Sequence, residues 1–374
     1  MTAKKLGFGC MRLPLLDPND GGSIDLETLK EMVDTFLSRG FTYFDTAWMY
    51  CGGKSEEAMG ETLVKRHPRD SFTLTSKLPA YKIKCKEDRD RIFNIQLERT
   101  GAGFFDYYLL HDINDHSITT FREMDCFTWI KEKQEQGLVK HIGFSFHGGA
   151  RLLEQLLQEH PEMEYVQLQL NYLDWDSDAI QSGACYDLCE QYGRKVLVME
   201  PVKGGTLAKV PEAVEALFKA YDPEPSVASW AIRFAASRKN VVMVLSGMSD
   251  MAQMLDNTGY MADFQPLTEE EEALCRKAAQ IINSAVAIPC TGCAYCVVNC
   301  PMNICIPQYF SVYNVDKREM EGKGWTPQFT YFDNLTTKFG KPSACVGCGQ
   351  CEDMCPQHLP IREYLKEVSA RFEG

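Results

Sequence analysis

The sequence has no long apolar run and a shortage of basic side chains, and both features limit what the protein can be. No stretch approaches the ~18 consecutive apolar residues of a membrane-spanning helix, and the first residues lack the apolar core of a secretion signal. Lys and Arg number 39 against 52 Asp and Glu, which gives a net charge of −13. This excess of negative charge disfavours binding to nucleic acid or anionic membranes. We therefore expect a cytoplasmic protein that binds neither.

Two common nucleotide-binding motifs are also missing. No G-x-G-x-x-G opens a strand–helix unit, and no G-x-x-x-x-G-K-[ST] is present. A Rossmann domain and a P-loop domain are therefore disfavoured. The chain still has 45% hydrophobic residues over 374 positions, which is enough to build a sizeable core and more than one domain.

Half of the 16 cysteines stand in two runs with identical spacing near the C-terminus. Each run reads C-x₂-C-x₂-C-x₃-C-P, and the ligand candidates are Cys290, Cys293, Cys296 and Cys300, then Cys345, Cys348, Cys351 and Cys355. Bacterial ferredoxins hold [4Fe–4S] clusters with this spacing, and in two-cluster ferredoxins the fourth Cys of each run ligates the other cluster. We therefore predict two [4Fe–4S] clusters with crossed ligation by Cys300 and Cys355.

Zinc and disulfides are the alternatives for these cysteines. A structural zinc site needs four tetrahedral ligands and would not use two identical runs that each end in Cys-Pro. Disulfides are rare in the reducing compartment that we expect for this chain. The other eight cysteines are scattered without ligand spacing and are interpreted as small apolar side chains.

The first 266 residues alternate short β-branched runs with amphipathic helical patterns. Strands that are apolar on both faces are typical of parallel sheets, and repeated strand–helix units favour a closed barrel. We predict a (β/α)₈ TIM barrel over residues 1–266, with an eighth strand near Phe41 or Met199, and residues 6–14 as a hairpin before the barrel. A ferredoxin-like α-helical domain with the two clusters would follow over residues 267–374. The seven clear strands are predicted at residues 42–45, 72–76, 107–111, 141–145, 166–171, 195–200 and 241–246.

Polar side chains stand at the carboxyl ends of three successive predicted strands, where barrel enzymes carry their catalytic groups. These are Asp45, Lys77 and His111, and Tyr50 lies in the loop after Asp45. The Lys77 charge would lower the pKa of Tyr50, Asp45 would hold Lys77, and His111 could orient a carbonyl. Together they predict a general acid that protonates an alkoxide.

These motifs resemble the aldo/keto reductase family, and with the cysteine runs the chain is similar to its iron–sulfur branch. The resemblance is carried by residues 6–14, 44–50, 53–60, 75–77 and 109–112. It implies that Tyr50 donates the proton to a small carbonyl substrate, or accepts one from an alcohol. Lys77 and Asp45 would tune Tyr50, and His111 would orient the substrate.

The resemblance also implies a site for NAD(P)H. Ser145 and Gln169 would hold the carboxamide, Met199 would face the nicotinamide, and the loop with Pro201, Gly204 and Gly205 would meet the pyrophosphate. Ser249 stands where a basic residue commonly binds a 2′-phosphate in the family, and no Arg or Lys lies between Lys239 and Arg276. We therefore expect weak discrimination between NADH and NADPH, or a preference for NADH. The adenosine end would be met by Ser246, Gly247, Ser249, Gln253 and Asn257.

A second hypothesis remains open at this point. A nicotinamide delivers two electrons at once, whereas a [4Fe–4S] cluster passes one. The chain could therefore be an electron-transfer protein whose barrel holds FMN or serves as a docking scaffold. A ferredoxin-type protein would then be its redox partner. Turnover of carbonyls with NAD(P)H alone would separate the two hypotheses.

Overall fold

The computed structural model describes residues 4–177, 180–284, 287–290, 292, 294–298, 300–319, 324–355 and 359–374. Eight parallel strands close into a barrel in chain order, and β8 pairs with β1. The predicted (β/α)₈ barrel is therefore confirmed. The strands are β1 Leu6–Gly9, β2 Tyr43–Asp45, β3 Thr73–Pro79, β4 Phe105–Ile113, β5 Val139–Phe146, β6 Tyr165–Gln169, β7 Lys195–Met199 and β8 Val241–Ser246.

The eighth strand is β1, which corrects the predicted hairpin at residues 6–14 and the eighth strand sought near Phe41 or Met199. Gly7 pairs with Tyr43 on one side and with Leu245 on the other. A Cβ at Gly7 would stand 2.7 Å from Leu245 Cδ2 and 3.1 Å from a ring carbon of Tyr43. Glycine at this position leaves room for the Leu245 and Tyr43 side chains in the filled interior of the barrel, even though glycine disfavours a strand by propensity.

The longer helices of the barrel part pack against the strands through one buried face, as α1 and α7 show. In the first helix Leu29, Met32, Val33 and Phe36 are buried at helical spacing, and Asp25 caps it by accepting the backbone N–H groups of Glu27 and Thr28. The helices are α1 Leu26–Ser38, α2 Tyr50–Gly53, α3 Ser55–Met59, α4 Glu87–Thr100, α5 Ser117–Glu123, α6 Cys126–Glu135, α7 Ala150–Glu159, α8 Ser182–Gln191, α9 Glu212–Tyr221, α10 Val227–Ala236, α11 Met251–Tyr260, α12 Glu269–Ser284, α13 Ile306–Glu319, α14 Gln328–Thr336, α15 Gln350–Asp353 and α16 Ile361–Phe372. In the part of the chain described above, none of them is both long and apolar enough to cross a membrane.

Helix α12 joins the barrel to the C-terminal region. Its Glu271 pairs with Arg233 of α10 at 2.6 Å, and Glu272 pairs with Arg238. The helix therefore packs on the barrel wall before the chain reaches the first cysteine run. The domain boundary near residue 266 stays a prediction.

The C-terminal region has a hydrophobic core of its own. Tyr309, Phe310, Phe332, Leu365 and Phe372 are buried within it. Helices α13 and α14 lie in the segment between the cysteine runs. Aromatic side chains on these helices reach the core from several sides, so no single apolar stripe marks them in the sequence.

Candidate active site

Lys77 is the centre of the polar cluster at the carboxyl ends of β2, β3 and β4. Its side chain is 0% exposed, and Nζ lies 2.5 Å from Asp45 Oδ1 and 3.1 Å from the Tyr50 hydroxyl. The third ammonium hydrogen is donated to the carbonyl of Thr46 at 3.0 Å. All three donors of the ammonium are therefore used, and the side chain has one defined position.

Tyr50 is held over this ammonium by the irregular start of α2. Cys51, Gly52 and Gly53 follow it with φ values of 50°, 61° and 85°. This left-handed turn, which glycine adopts at little cost, brings the Tyr50 ring to 4.8 Å from Lys77 Nζ. The His111 ring meets Tyr50 edge-on, with the centroids 5.9 Å apart. Asp45, Tyr50, Lys77 and His111 thus form one cluster.

Burial sets the protonation of this cluster. It raises the pKa of Tyr50, and the Lys77 charge offsets only part of the rise. Lys77 acts on the Tyr50 pKa in the expected direction, but burial outweighs it, so the phenol is protonated at neutral pH. Burial also opposes the charge on Lys77, but Asp45 and Tyr50 outweigh it and raise the Lys77 pKa. Lys77 is thus cationic beside a neutral phenol.

His111 is neutral at physiological pH. Burial, followed by the charges of Lys77 and His147, lowers its pKa well below the ordinary value. A neutral imidazole carries one N–H donor and one acceptor nitrogen. Beside Tyr50, this donor suits a carbonyl oxygen.

A cleft of about 390 Å³ opens beside Tyr50 and Asp45 and runs along the loops after β7 and β8. These loops are the places where barrel enzymes bind phosphate groups. Nine of the predicted cofactor residues line the cleft: Met199, Pro201, Gly204, Gly205, Ser246, Gly247, Ser249, Gln253 and Asn257. The loops are braced internally, since Asn257 Nδ2 donates to Ser246 Oγ at 3.0 Å and the Ser249 N–H donates to Gln253 Oε1 at 3.0 Å.

Gln169 lies outside the cleft, which corrects its assignment as a cofactor contact. Its Nε2 donates to Asp174 Oδ2 at 2.8 Å, and its Oε1 accepts the Tyr331 hydroxyl at 3.1 Å. Gln167 takes the predicted place, because it lines the cleft and donates to Asp45 Oδ2 at 3.2 Å. The two glutamines face the same side of β6, since side chains repeat every second residue of a strand.

Ser145 is likewise placed elsewhere. Its Oγ accepts the backbone N–H of Asp112 at 2.7 Å, so it ties β5 to the end of β4. Two basic residues that the sequence analysis missed, Arg12 and Lys209, do line the cleft. The Arg12 carbonyl accepts a hydrogen bond from the Ser249 hydroxyl at 3.2 Å. Arg12 therefore lies beside Ser249, the position at which this chain has no basic side chain. The sequence feature that could have identified Arg12 is its position in the loop that follows β1.

The predicted iron ligands that the structure describes come together from both runs. Cys300 of the first run lines the same small cavity as Cys345, Cys348 and Cys351 of the second. The backbone N–H of Ile304 donates to Cys300 Sγ at 3.4 Å. Cys293 lies outside the described residues.

The described cysteines of the other predicted set lie in the hydrophobic core of the C-terminal region. Cys296 and Cys355 are buried there, and Cys290 packs partly buried against it. Within the described ranges no three His, Cys, Asp or Glu side chains group as they would around a single ion. A cubane spreads four thiolates over separate irons, so soft sulfur donors from two runs fit a cluster better than one ion.

The C-terminal domain sits on the face of the barrel that carries the catalytic cluster. Asn334 of α14 donates to the His147 carbonyl at 2.8 Å and accepts the Asp115 N–H at 3.2 Å. Lys338 pairs with Asp115 at 2.8 Å, and the Tyr331 hydroxyl is 3.5 Å from His147 Nδ1. His147 and Asp115 lie just beyond the carboxyl ends of β5 and β4. These contacts place α14 at the carboxyl ends of β4 and β5, on the side of the barrel where Asp45, Lys77 and His111 lie.

Family comparison accounts for both parts of the molecule. The model of the aldo/keto reductase family matches residues 5–280, well over half of the chain. The chain belongs to the aldo/keto reductase family. A second model, for a 4Fe-4S dicluster domain, matches residues 289–359. This aldo/keto reductase therefore carries an iron–sulfur domain, as the motifs predicted.

Individual relatives of this aldo/keto reductase are distant. A probable aldo-keto reductase of soybean (Glycine max) is 26% identical over 214 residues, which cover 54% of this chain and 56% of the soybean protein. The match thus spans little more than half of that relative. An aldo-keto reductase from Bacillus halodurans, in its holo form, has a TM-score of 0.59 at 23% identity and covers 73% of this chain and 91% of its own. One from Klebsiella pneumoniae, in complex with NADPH, has a TM-score of 0.58 at 18% identity, covering 74% and 95%. At such identities the likeness shows the fold.

Proposed function

We propose that this protein is an NAD(P)H-linked oxidoreductase that interconverts a small carbonyl compound and the corresponding alcohol. The observation that supports this most is the 3.1 Å contact between the Tyr50 hydroxyl and the Lys77 ammonium, at the mouth of a cleft lined by Met199 and the glycine loop. When bound, the dinucleotide supplies or accepts the hydride at the carbonyl carbon. The chain's own residues supply the proton and the stabilising charges.

Tyr50 acts as the general acid in reduction. Its protonated hydroxyl gives the proton to the oxygen that becomes negative when hydride arrives, so C=O becomes CH–OH. The phenolate left behind is stabilised by the Lys77 ammonium, which Asp45 keeps charged and in place. In oxidation the same groups work in reverse, and Tyr50 takes the proton from the alcohol.

His111 orients the substrate in this proposal. Its neutral imidazole donates an N–H to the carbonyl oxygen and so directs that oxygen toward Tyr50. The carbonyl is polarised in a buried site where such a bond is stronger than in water. A charged imidazolium would compete with Tyr50 as proton donor, and the low pKa of His111 avoids this.

The cleft beside Tyr50 holds the dinucleotide. Gly204 and Gly205 have no side chains, so the loop backbone can come close to the pyrophosphate, and Arg12 and Lys209 add positive charge. Gln167 presents its amide near Asp45, where the nicotinamide end would lie, and Met199 flanks it. Apolar and polar side chains line the same cleft, which suits an extended ligand with phosphates at its centre.

The C-terminal domain holds two [4Fe–4S] clusters in this proposal, and when bound they pass single electrons. Cys300, Cys345, Cys348 and Cys351 would ligate one, which their shared cavity supports. The second would take Cys290, Cys293, Cys296 and Cys355. A ferredoxin-type protein is the redox partner that fits such a domain.

The decisive experiment is an assay of the anaerobically purified protein with NADH or NADPH and a series of small aldehydes and ketones. Oxidation of the dinucleotide matched by alcohol formation supports the proposal. Bound FMN, together with cluster reduction by a ferredoxin and no carbonyl turnover, would support the electron-transfer protein instead. Iron, sulfide and nucleotide analysis of the same sample identifies what is bound.

A further inference from the structure

Lys203 belongs to the glycine loop of the cleft, but its side chain points into the junction with the C-terminal domain. The side chain is 0% exposed, and Nζ lies 2.5 Å from Asp174 Oδ1 and 3.3 Å from Glu319 Oε1. Asp174 follows β6 of the barrel. Glu319 is the last residue of α13, in the C-terminal domain. One ammonium therefore bridges a carboxylate of each domain.

The loop that carries Lys203 has an unusual backbone. Glu200, Lys203, Gly204 and Gly205 have φ values of 55°, 49°, 63° and 104°. Side chains other than glycine are strained in this region and stay there only when the surroundings hold them. Val202 and Gly204, on either side of Lys203, line the cleft. Anchoring Lys203 therefore shapes the surface that faces the dinucleotide.

On the barrel side of this bridge, the Asp174 carboxylate accepts further hydrogen bonds. Asp174 Oδ2 accepts Gln169 Nε2 at 2.8 Å and Asn171 Nδ2 at 2.7 Å. The same Asn171 amide donates to the Glu200 carbonyl at 3.1 Å, at the start of the loop. Glu200, through Asn171, and Lys203, directly, are thus both linked to Asp174, which itself is buried.

The C-terminal domain supplies the second half of the anchor. Glu319 is buried and also accepts Gln328 Nε2 at 3.3 Å. Arg318 interacts electrostatically with Glu319 and Asp174, so the junction contains a second cation, and Glu200 adds a third carboxylate that acts on Lys203 and Glu319. Burial opposes the charge on Lys203, and Asp174 followed by Glu319 more than offsets it, which raises the Lys203 pKa.

We propose that Lys203 is a positioning residue through which the C-terminal domain holds the dinucleotide loop in its binding shape. The inference rests on the dinucleotide cleft of the proposed function. Glu319 does not line that cleft, yet its removal weakens dinucleotide binding because it loosens Lys203. By thermodynamic linkage the effect is reciprocal, so the dinucleotide also stabilises the docked C-terminal domain.

The test compares dissociation constants for NADH and NADPH in the full-length, cluster-loaded protein, measured by calorimetry. Glu319→Gln keeps the shape of the side chain and removes its charge, and it should weaken binding on the order of tenfold. Glu367→Gln is the matched control, since Glu367 lies in the same domain, accepts the Tyr313 hydroxyl and is exposed. The control should bind like the wild type. Iron content verifies that each variant is folded. If Glu319→Gln does not fold, Glu319→Asp, which keeps the charge on a shorter side chain, is used in its place.

A double substitution gives the second readout. Lys203→Met should weaken binding at least as much as Glu319→Gln, and combining the two should add little, because both break the same bridge. If Glu319→Gln, or Glu319→Asp used in its place, binds NADH and NADPH as tightly as the wild type, this inference is wrong and the proposed function is unaffected. Fully additive effects also overturn it. A wild type that binds neither dinucleotide overturns the proposed function and this inference with it.

Discussion

The Tyr331 hydroxyl of the C-terminal domain donates a 3.1 Å hydrogen bond to Gln169 Oε1 at the end of barrel strand β6. Tyr331 is buried, and Gln169 in turn donates to Asp174. The bond connects a helix lying between the two cysteine runs to the carboxyl end of the barrel. The C-terminal domain is therefore part of the wall around the catalytic face.

Replacing Tyr50 by Phe tests the proposed acid. Tyr50→Phe keeps the ring and removes the hydroxyl that contacts Lys77, so the turnover number for carbonyl reduction should fall on the order of 10²-fold or more. Dinucleotide affinity should change little. Tyr221→Phe, on the outer helix α9 and 42% exposed, is the control and should keep wild-type kinetics. Equal turnover in Tyr50→Phe and wild type would remove Tyr50 from the mechanism.

Stability should depend on pH through His111. The folded pKa of His111 lies below its unfolded value of about 6.5, so the unfolded chain takes up this proton first. The stability that depends on a neutral His111 is present above about pH 6.5 and is lost as the pH falls below it.

Anaerobic urea unfolding between pH 7.5 and about pH 5.5 measures this effect. His111→Gln should lose less unfolding free energy over that range than the wild type does. Gln158→Asn, an exposed substitution on α7 that leaves every histidine and carboxylate in place, is the comparison and should follow the wild-type curve. A His111→Gln curve parallel to that of the wild type would contradict the prediction.

Arg12 should decide how strongly the cleft prefers NADPH. A charge-assisted bond to a 2′-phosphate is worth about 1.5–3 kcal/mol, and Arg12 lies beside Ser249. Arg12→Gln should therefore weaken NADPH binding more than NADH binding, while Arg12→Lys should keep part of the difference. Ser249→Arg should raise NADPH affinity specifically. Both dissociation constants must be compared at one salt concentration, and equal losses for both dinucleotides in Arg12→Gln would assign Arg12 to the pyrophosphate instead.

Cys300 tests the crossed cluster ligation. The wild type should contain about eight irons and eight sulfides, since each cubane carries four of each and uses four cysteines. Cys300→Ser should destabilise the cluster held by Cys345, Cys348 and Cys351 and lower the iron content toward half. Cys305→Ser, a buried cysteine outside both runs, should keep the full content. Zinc in place of iron would contradict the assignment outright.

Much of the barrel follows from periodicity, and its exceptions have local causes. Most residues of strands β2 to β8 are buried, and the strands stand between amphipathic helices, which predicts a parallel barrel. Strand β1 has four residues, two of them glycine, and its pairing is fixed by packing against Tyr43 and Leu245. Strand propensities of single residues do not include such packing contacts, so they do not predict β1. Helices α13 and α14 likewise depend on a core that exists only after the domain has folded.

The catalytic cluster was predictable because Asp45, Lys77 and His111 stand at strand ends, where a barrel brings them together. The choice between Gln167 and Gln169 was not, since the two differ by one step of about 6.6 Å along the same face of β6. Arg12 reaches the cleft from the first loop, far in sequence from Ser249. Contacts of this kind become visible only in three dimensions.

The buried bridge at Lys203 has an evolutionary consequence. A descendant that lost the C-terminal domain would leave Lys203 and Asp174 without Glu319 and open to water, on a loop that needs support. In such a lineage Lys203 would no longer connect two domains, and nothing in the barrel beyond Asp174 would keep a lysine at this position. We therefore expect Lys203 and the iron–sulfur domain to be inherited together, and barrels without the domain to carry a different residue at this position.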